Sequence, residues 1–114
     1  MIDVKYMHSW NSKVSREEEM VEKFGELLHS EDTADSYEVA ESHLYKKGRK
    51  YYWLQANGCS CWDGDYYGYE LTLTELRKLA KARAKDPDGY SGAGHEKLMG
   101  TWINENLNQS RSRK

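Results

Sequence analysis

The chain has 114 residues, the size of one domain, with 38% hydrophobic and 32% charged residues. Its mean hydropathy of −0.99 leaves room for only a small core, and no apolar run approaches the ~20 residues of a membrane-spanning helix. One Pro and nine Gly exclude a collagen-like or Pro-rich disordered chain, and the opening Met1-Ile2-Asp3-Val4-Lys5 lacks the basic-then-apolar layout of a secretory leader, so the expected compartment is the cytosol.

Ile2 to His8 alternate apolar with polar residues, which suits a half-buried strand. Asn11-Ser12 reads as a turn. Ser15-Arg16-Glu17-Glu18 then has the form of a capping box, in which the Ser15 hydroxyl and the Glu18 carboxylate each serve the other's backbone amide. Met20, Val21, Phe24, Leu27 and Leu28 follow at helical spacing, predicting an amphipathic helix through Leu28. Residues 31–36 read as a polar connector. From Tyr37 the period becomes two: Tyr37, Val39, Glu41, His43 and Tyr45 share one face, and Glu38, Ala40, Ser42 and Leu44 the other. A charged turn at 46–50 and the run Tyr51–Ala56 complete a hairpin.

Residues 59–70 form an island of Gly, Asp and aromatics that reads as an irregular loop. Thr72-Leu73-Thr74-Glu75 repeats the capping-box form, with Thr74 as a competing cap. The helix behind it has Leu73, Leu76, Leu79, Ala80 and Ala84 on its apolar side and Arg77, Lys78, Lys81 and Lys85 on the other. Asp86-Pro87-Asp88-Gly89 stops that helix. A last amphipathic helix begins near His95 and carries Leu98, Met99, Trp102, Ile103 and Leu107. The expected fold is a single α+β domain over 1–108 with a basic frayed tail at 109–114. Its order is βαββαα: a small antiparallel sheet of the N-terminal strand plus a hairpin, with about three helices laid on one face.

Catalytic and metal chemistry find little support. Cys59 and Cys61 are the candidate metal ligands, but one intervening residue is too few for the usual zinc-binding pair, and no His pair at ligand spacing completes a tetrahedron. Asp63 and Asp65 oppose the electropositive setting a nucleophilic thiol needs. Asp63-Gly64-Asp65 opens like a calcium loop, yet Tyr67 and Thr74 stand where oxygen donors should follow. With no Cys/His/Asn arrangement visible, the chain reads as a non-enzyme without a cofactor.

Aromatic density is the stronger signal. Tyr51, Tyr52, Trp53, Trp62, Tyr66, Tyr67 and Tyr69 crowd into nineteen residues, and Tyr and Trp are enriched at binding hot spots. Trp53, Trp62, Asp63, Asp65, Tyr66, Tyr67 and Tyr69 are therefore the expected partner-binding residues. The run from Tyr51-Tyr52-Trp53-Leu54-Gln55-Ala56-Asn57 into Gly58-Cys59-Ser60-Cys61 resembles a motif of small, uncharacterised tailed-phage proteins, in which a Tyr/Trp strand leads into Gly-Cys-Ser-Cys, an acidic loop and a helix. The resemblance spans about residues 37–85 and rests on that one short motif. It implies a phage accessory protein without supplying a mechanism. Taken with the small size, the absent catalytic constellation and the aromatic–acidic loop, the expectation is a protein in the host cytoplasm that binds a host or phage protein, for instance to inhibit a host enzyme or defence complex.

Charge supplies an alternative. The total of −2 hides a split, because residues 1–43 hold eleven of the nineteen acids and only four of the seventeen bases. The second half is correspondingly basic. A nucleic-acid-binding surface on Arg77, Lys78, Lys81 and Lys85, extended by Arg111, Arg113 and Lys114, is the second expectation. A metal-dependent enzyme or zinc-stabilised module using Cys59, Cys61 and one or two His is the third. No membrane partner is expected.

Overall fold

The computed structural model describes residues 1–8, 11–34, 38–59, 64–85 and 94–107. Its elements run β1 (Ile2–Met7), α1 (Arg16–Phe24), β2 (Glu26–Asp32), β3 (Glu38–Lys47), β4 (Lys50–Cys59), β5 (Asp65–Leu71), α2 (Leu73–Lys85) and α3 (Gly94–Asn106). The strands form one antiparallel sheet in the order β1-β5-β4-β3-β2, an α+β architecture with two strands more than the sequence pattern suggests. None of the described helices is long and apolar enough to cross a membrane.

Both extra strands have local causes. The capping box at Ser15 forms as expected, with Glu18 N–H donating to Ser15 Oγ at 3.1 Å and Ser15 N–H donating to Glu18 Oε1 at 3.2 Å. The helix then ends at Phe24 rather than Leu28, because Gly25 takes φ +95° and turns the chain into β2. Leu27 and Leu28, which fit the helical stripe, instead straddle a bulge where β2 shifts register against β3. In β5, Tyr66, Gly68 and Glu70 alternate with Asp65, Tyr67, Tyr69 and Leu71, so the expected loop is in good part a strand.

The helices also cover both faces, where one was expected. On the first, α2 and α3 bury Leu44, Tyr51, Trp53 and Leu71 of the sheet beneath Leu76, Ala80, Met99 and Ile103. The two helices cross closely at Gly100, where a Cβ would stand 2.7 Å from the Ala80 carbonyl oxygen. On the second face, α1 sets Met20 and Phe24 over Tyr6, Tyr45, Leu54, Ala56 and Tyr66. The Phe24 ring meets Tyr6 edge-on at 5.8 Å and lies 5.2 Å from Tyr52. Thr72, not Thr74, caps α2: Glu75 N–H donates to Thr72 Oγ1 at 3.2 Å, and Thr72 N–H donates to Glu75 Oε1 at 2.9 Å.

Candidate functional site

Strand register decides which rings reach solvent. One row across the sheet runs Lys5–Tyr67–Gln55, and the next runs Asp3–Tyr69–Trp53–Leu44. α2 and α3 cover Trp53 and Leu44 in the middle of the sheet. Nearer β1 their cover gives out, leaving an open cleft of about 360 Å³ lined by Asp3, Lys5, Gln55, Tyr67 and Tyr69. Tyr67 is 52% exposed there. Its hydroxyl donates to Asp65 Oδ2 at 2.5 Å, and the Lys5 ammonium lies 5.5 Å from its ring centroid. An acid on one side and a cation on the other hold this ring in place, so a docking molecule meets an ordered aromatic surface with little rotamer entropy left to lose.

The expected docking set is thus narrowed. Trp53 is fully buried on the central strand beneath α2 and α3. Tyr66 is buried on the opposite face, paired with Tyr6 and with the Arg16 guanidinium 5.7 Å from its ring centroid. Neither can serve as an exposed anchor. Tyr67, Tyr69 and Asp65 do gather at the cleft or its margin, whereas Trp62 and Asp63 lie outside the described residues. The contributions of Asp3, Lys5 and Gln55 escape sequence reading because β5, the strand that sets their rows beside Tyr67 and Tyr69, reads there as a loop.

Beside the cleft, a directed hydrogen-bond chain connects core and rim. Trp53 Nε1–H donates to Ser42 Oγ at 3.3 Å, Ser42 Oγ lies 2.6 Å from His95 Nδ1, and His95 Nε2 lies 2.8 Å from Asn57 Oδ1. Because the Asn57 oxygen only accepts, Nε2 carries the hydrogen and Nδ1 accepts from the Ser42 hydroxyl. His95 and Ser42 are fully buried, while Asn57 is exposed. The chain fastens the first turn of α3 to the sheet.

On the other face, Ser30 Oγ lies 2.8 Å from His43 Nδ1 and His43 Nε2 lies 2.8 Å from Glu41 Oε1, which also accepts from the Tyr66 hydroxyl at 3.3 Å. This hydroxyl–imidazole–carboxylate sequence is invisible along the chain because the residues of β2 read there as helix and connector. Its ring nitrogens are exchanged relative to a serine-hydrolase triad, with the hydroxyl on Nδ1 and the carboxylate on Nε2. It works as a strut between β2 and β3. The His43 hydrogen bond, followed by that of Tyr66 and aided by nearby Arg16, keeps the Glu41 carboxyl below its ordinary range against the opposing effect of burial.

The basic surface on α2 is also reduced. Arg77 Nε–H donates to the Leu107 carbonyl at 3.0 Å, committing part of its guanidinium to the α3 terminus. Arg83 pairs with Glu96 at 2.9 Å. Lys78, Lys81 and Lys85 remain exposed. The tail with Arg111, Arg113 and Lys114 lies outside the described residues. Cys59 ends β4 opposite Glu38, and Cys61 lies outside the described residues. Among the described residues no three His, Cys, Asp or Glu side chains gather to hold a metal ion. No protein-family model, curated protein or solved structure matches the chain.

Proposed function

We propose that this chain is a non-enzymatic, phage-type accessory protein that binds a host protein, and that the partner docks in the cleft of Tyr67, Tyr69 and Gln55. The observation that carries this reading is the half-exposed Tyr67 ring, oriented by Asp65 and Lys5 beside the part of the sheet face that α2 and α3 cover. Large ordered rings beside a few polar groups are the usual makings of a binding hot spot. The cleft offers an acid, a base and an amide around them, which favours a protein segment with an apolar anchor and mixed polar flanks over a polyanion. Occupying a host enzyme or defence complex through such an anchor would inhibit it by obstruction.

The test is affinity capture from host lysate with wild type and with Tyr67→Ala, both confirmed folded by circular dichroism. A captured protein should bind the variant about thirtyfold more weakly, the effect of losing one hot-spot aromatic worth ~2 kcal/mol. Equal capture by the two chains overturns the assignment of the cleft.

The exposed Lys78, Lys81 and Lys85 favour a second reading, contact with nucleic-acid phosphates. Single-stranded DNA binding that weakens steeply with salt, and weakens again in Lys81→Glu, is the outcome that reading requires.

A further inference from the structure

β1 is an edge strand: it pairs with β5 on one side, and its other edge is unpaired in the sheet. Such an edge presents a row of backbone donors and acceptors to any extended strand, and natural proteins usually blunt it. Here it is flanked by exposed apolar side chains, with Ile2 at 60% and Met7 at 52%. Asp3 and Lys5 are exposed as well and share the sheet face that carries the cleft.

We propose that β1 pairs antiparallel with β1 of a second copy of this chain, about a two-fold axis through Val4. The sequence of the strand is what selects this occupant. With Val4 opposite Val4 of the second copy, Asp3 faces the second copy's Lys5 and Lys5 faces the second copy's Asp3, so a single register satisfies two ion pairs. On the other face Ile2 comes opposite the second copy's Tyr6. Sliding the strands by two residues in either direction, the smallest shift that keeps the same faces together, sets Asp3 against Asp3 or Lys5 against Lys5. Directly opposed like charges destabilise a strand pair and opposite charges stabilise it, so the charges both attract the second copy and fix its register. The isologous pairing is closed and stops at two copies. It makes one ten-stranded sheet from two sheets of five, with the two Tyr67 clefts side by side on the same face. The inference needs no partner in the cleft and goes beyond the binding role proposed above.

Analytical ultracentrifugation of the purified chain tests it directly. Wild type should show a concentration-dependent rise to twice the chain mass. Asp3→Lys and Lys5→Asp, each at an exposed position, should each weaken dimerisation about tenfold or more, since each replaces two attractions by two repulsions. An equimolar mixture of the two variants should recover the wild-type affinity, because Lys at position 3 and Lys5 then face Asp at position 5 and Asp3. The doubly exchanged chain, Asp3→Lys with Lys5→Asp, should also dimerise, and thermal melts of every variant confirm its fold. A wild type that stays monomeric up to its solubility limit overturns the proposal. So does a dimer that both reversals leave intact, or a mixture no tighter than its components.

Discussion

Ser42 and His95 stand fifty-three residues apart in sequence and 2.6 Å apart in the fold, both fully buried. Ser42 is the shared centre of two contacts, accepting from the Trp53 indole while donating to the imidazole. Replacing Ser42 by Ala withdraws both at once and leaves polar atoms of Trp53 and His95 facing a methyl group. The expected cost is ~2 kcal/mol, since a buried polar group that loses its partner forfeits its desolvation energy. Urea denaturation should show the midpoint falling with an unchanged m-value.

Acid stability should depend on Glu41. Its carboxyl is held below the ordinary value of 4.5 in the fold, chiefly by the His43 hydrogen bond. A depressed acid stabilises the fold fully above its unfolded value. That contribution is lost as pH falls below 4.5 and through the lower folded value, because the unfolded chain takes up the proton first. Denaturant midpoints measured down the acid limb should therefore fall less steeply in Glu41→Gln than in wild type. Glu19 and Glu75, also depressed, keep part of the slope in place.

Alkaline stability should depend on the buried tyrosines. Burial first, and the nearby Glu17 second, push the Tyr45 hydroxyl up to about 12, and burial likewise raises Tyr6 and Tyr66. With folded values above the ordinary 10.0, their stabilisation is complete below pH 10 and fades as pH climbs through the folded values. The share of tyrosinate absorbance that Tyr6, Tyr45 and Tyr66 contribute, read as the difference between wild type and each Tyr→Phe variant, should appear in step with loss of secondary structure rather than ahead of it. Tyr45→Phe should shift the alkaline midpoint upward, because its only described polar contact is a 3.8 Å approach to the Met20 sulfur.

Two glycines with positive φ should respond differently to Ala. Gly25, at φ +95°, would place a Cβ 2.2 Å from the Lys46 carbonyl oxygen. Gly25→Ala must move backbone as well as adopt a strained conformation, so a loss of about 2 kcal/mol or more is expected. At Gly48, with φ +64°, a Cβ would meet nothing within 4 Å, and Gly48→Ala should cost only about 1 kcal/mol. Parallel denaturation curves of the two variants check the difference.

What can be read along the chain is what local chemistry decides. Both capping boxes form, at Ser15 and Thr72, because a hydroxyl and a carboxylate three residues apart need nothing from the rest of the fold. The β3–β4 hairpin follows from alternation about a short Gly-bearing turn. β2 is hidden because Leu27 and Leu28 continue a helical spacing in spite of Gly25, and because the bulge at this point breaks the alternation a strand would show. At the cleft, alternation separates Tyr66 from Tyr67 but does not say which of them faces outward. That depends on the pairing of β1 with β5, which joins Lys5 to Tyr67 across about sixty residues, and on where two distant helices stop covering the sheet.

The bonds from Trp53 to Asn57 run in one direction, from a ring that water never touches to an amide at the surface. A molecule that seizes the Asn57 side chain therefore competes with His95 for it and disturbs every link behind. In a chain whose other three Trp are replaced by Phe, the indole emission of Trp53 would register that event, an optical report from the core of what settles on the rim.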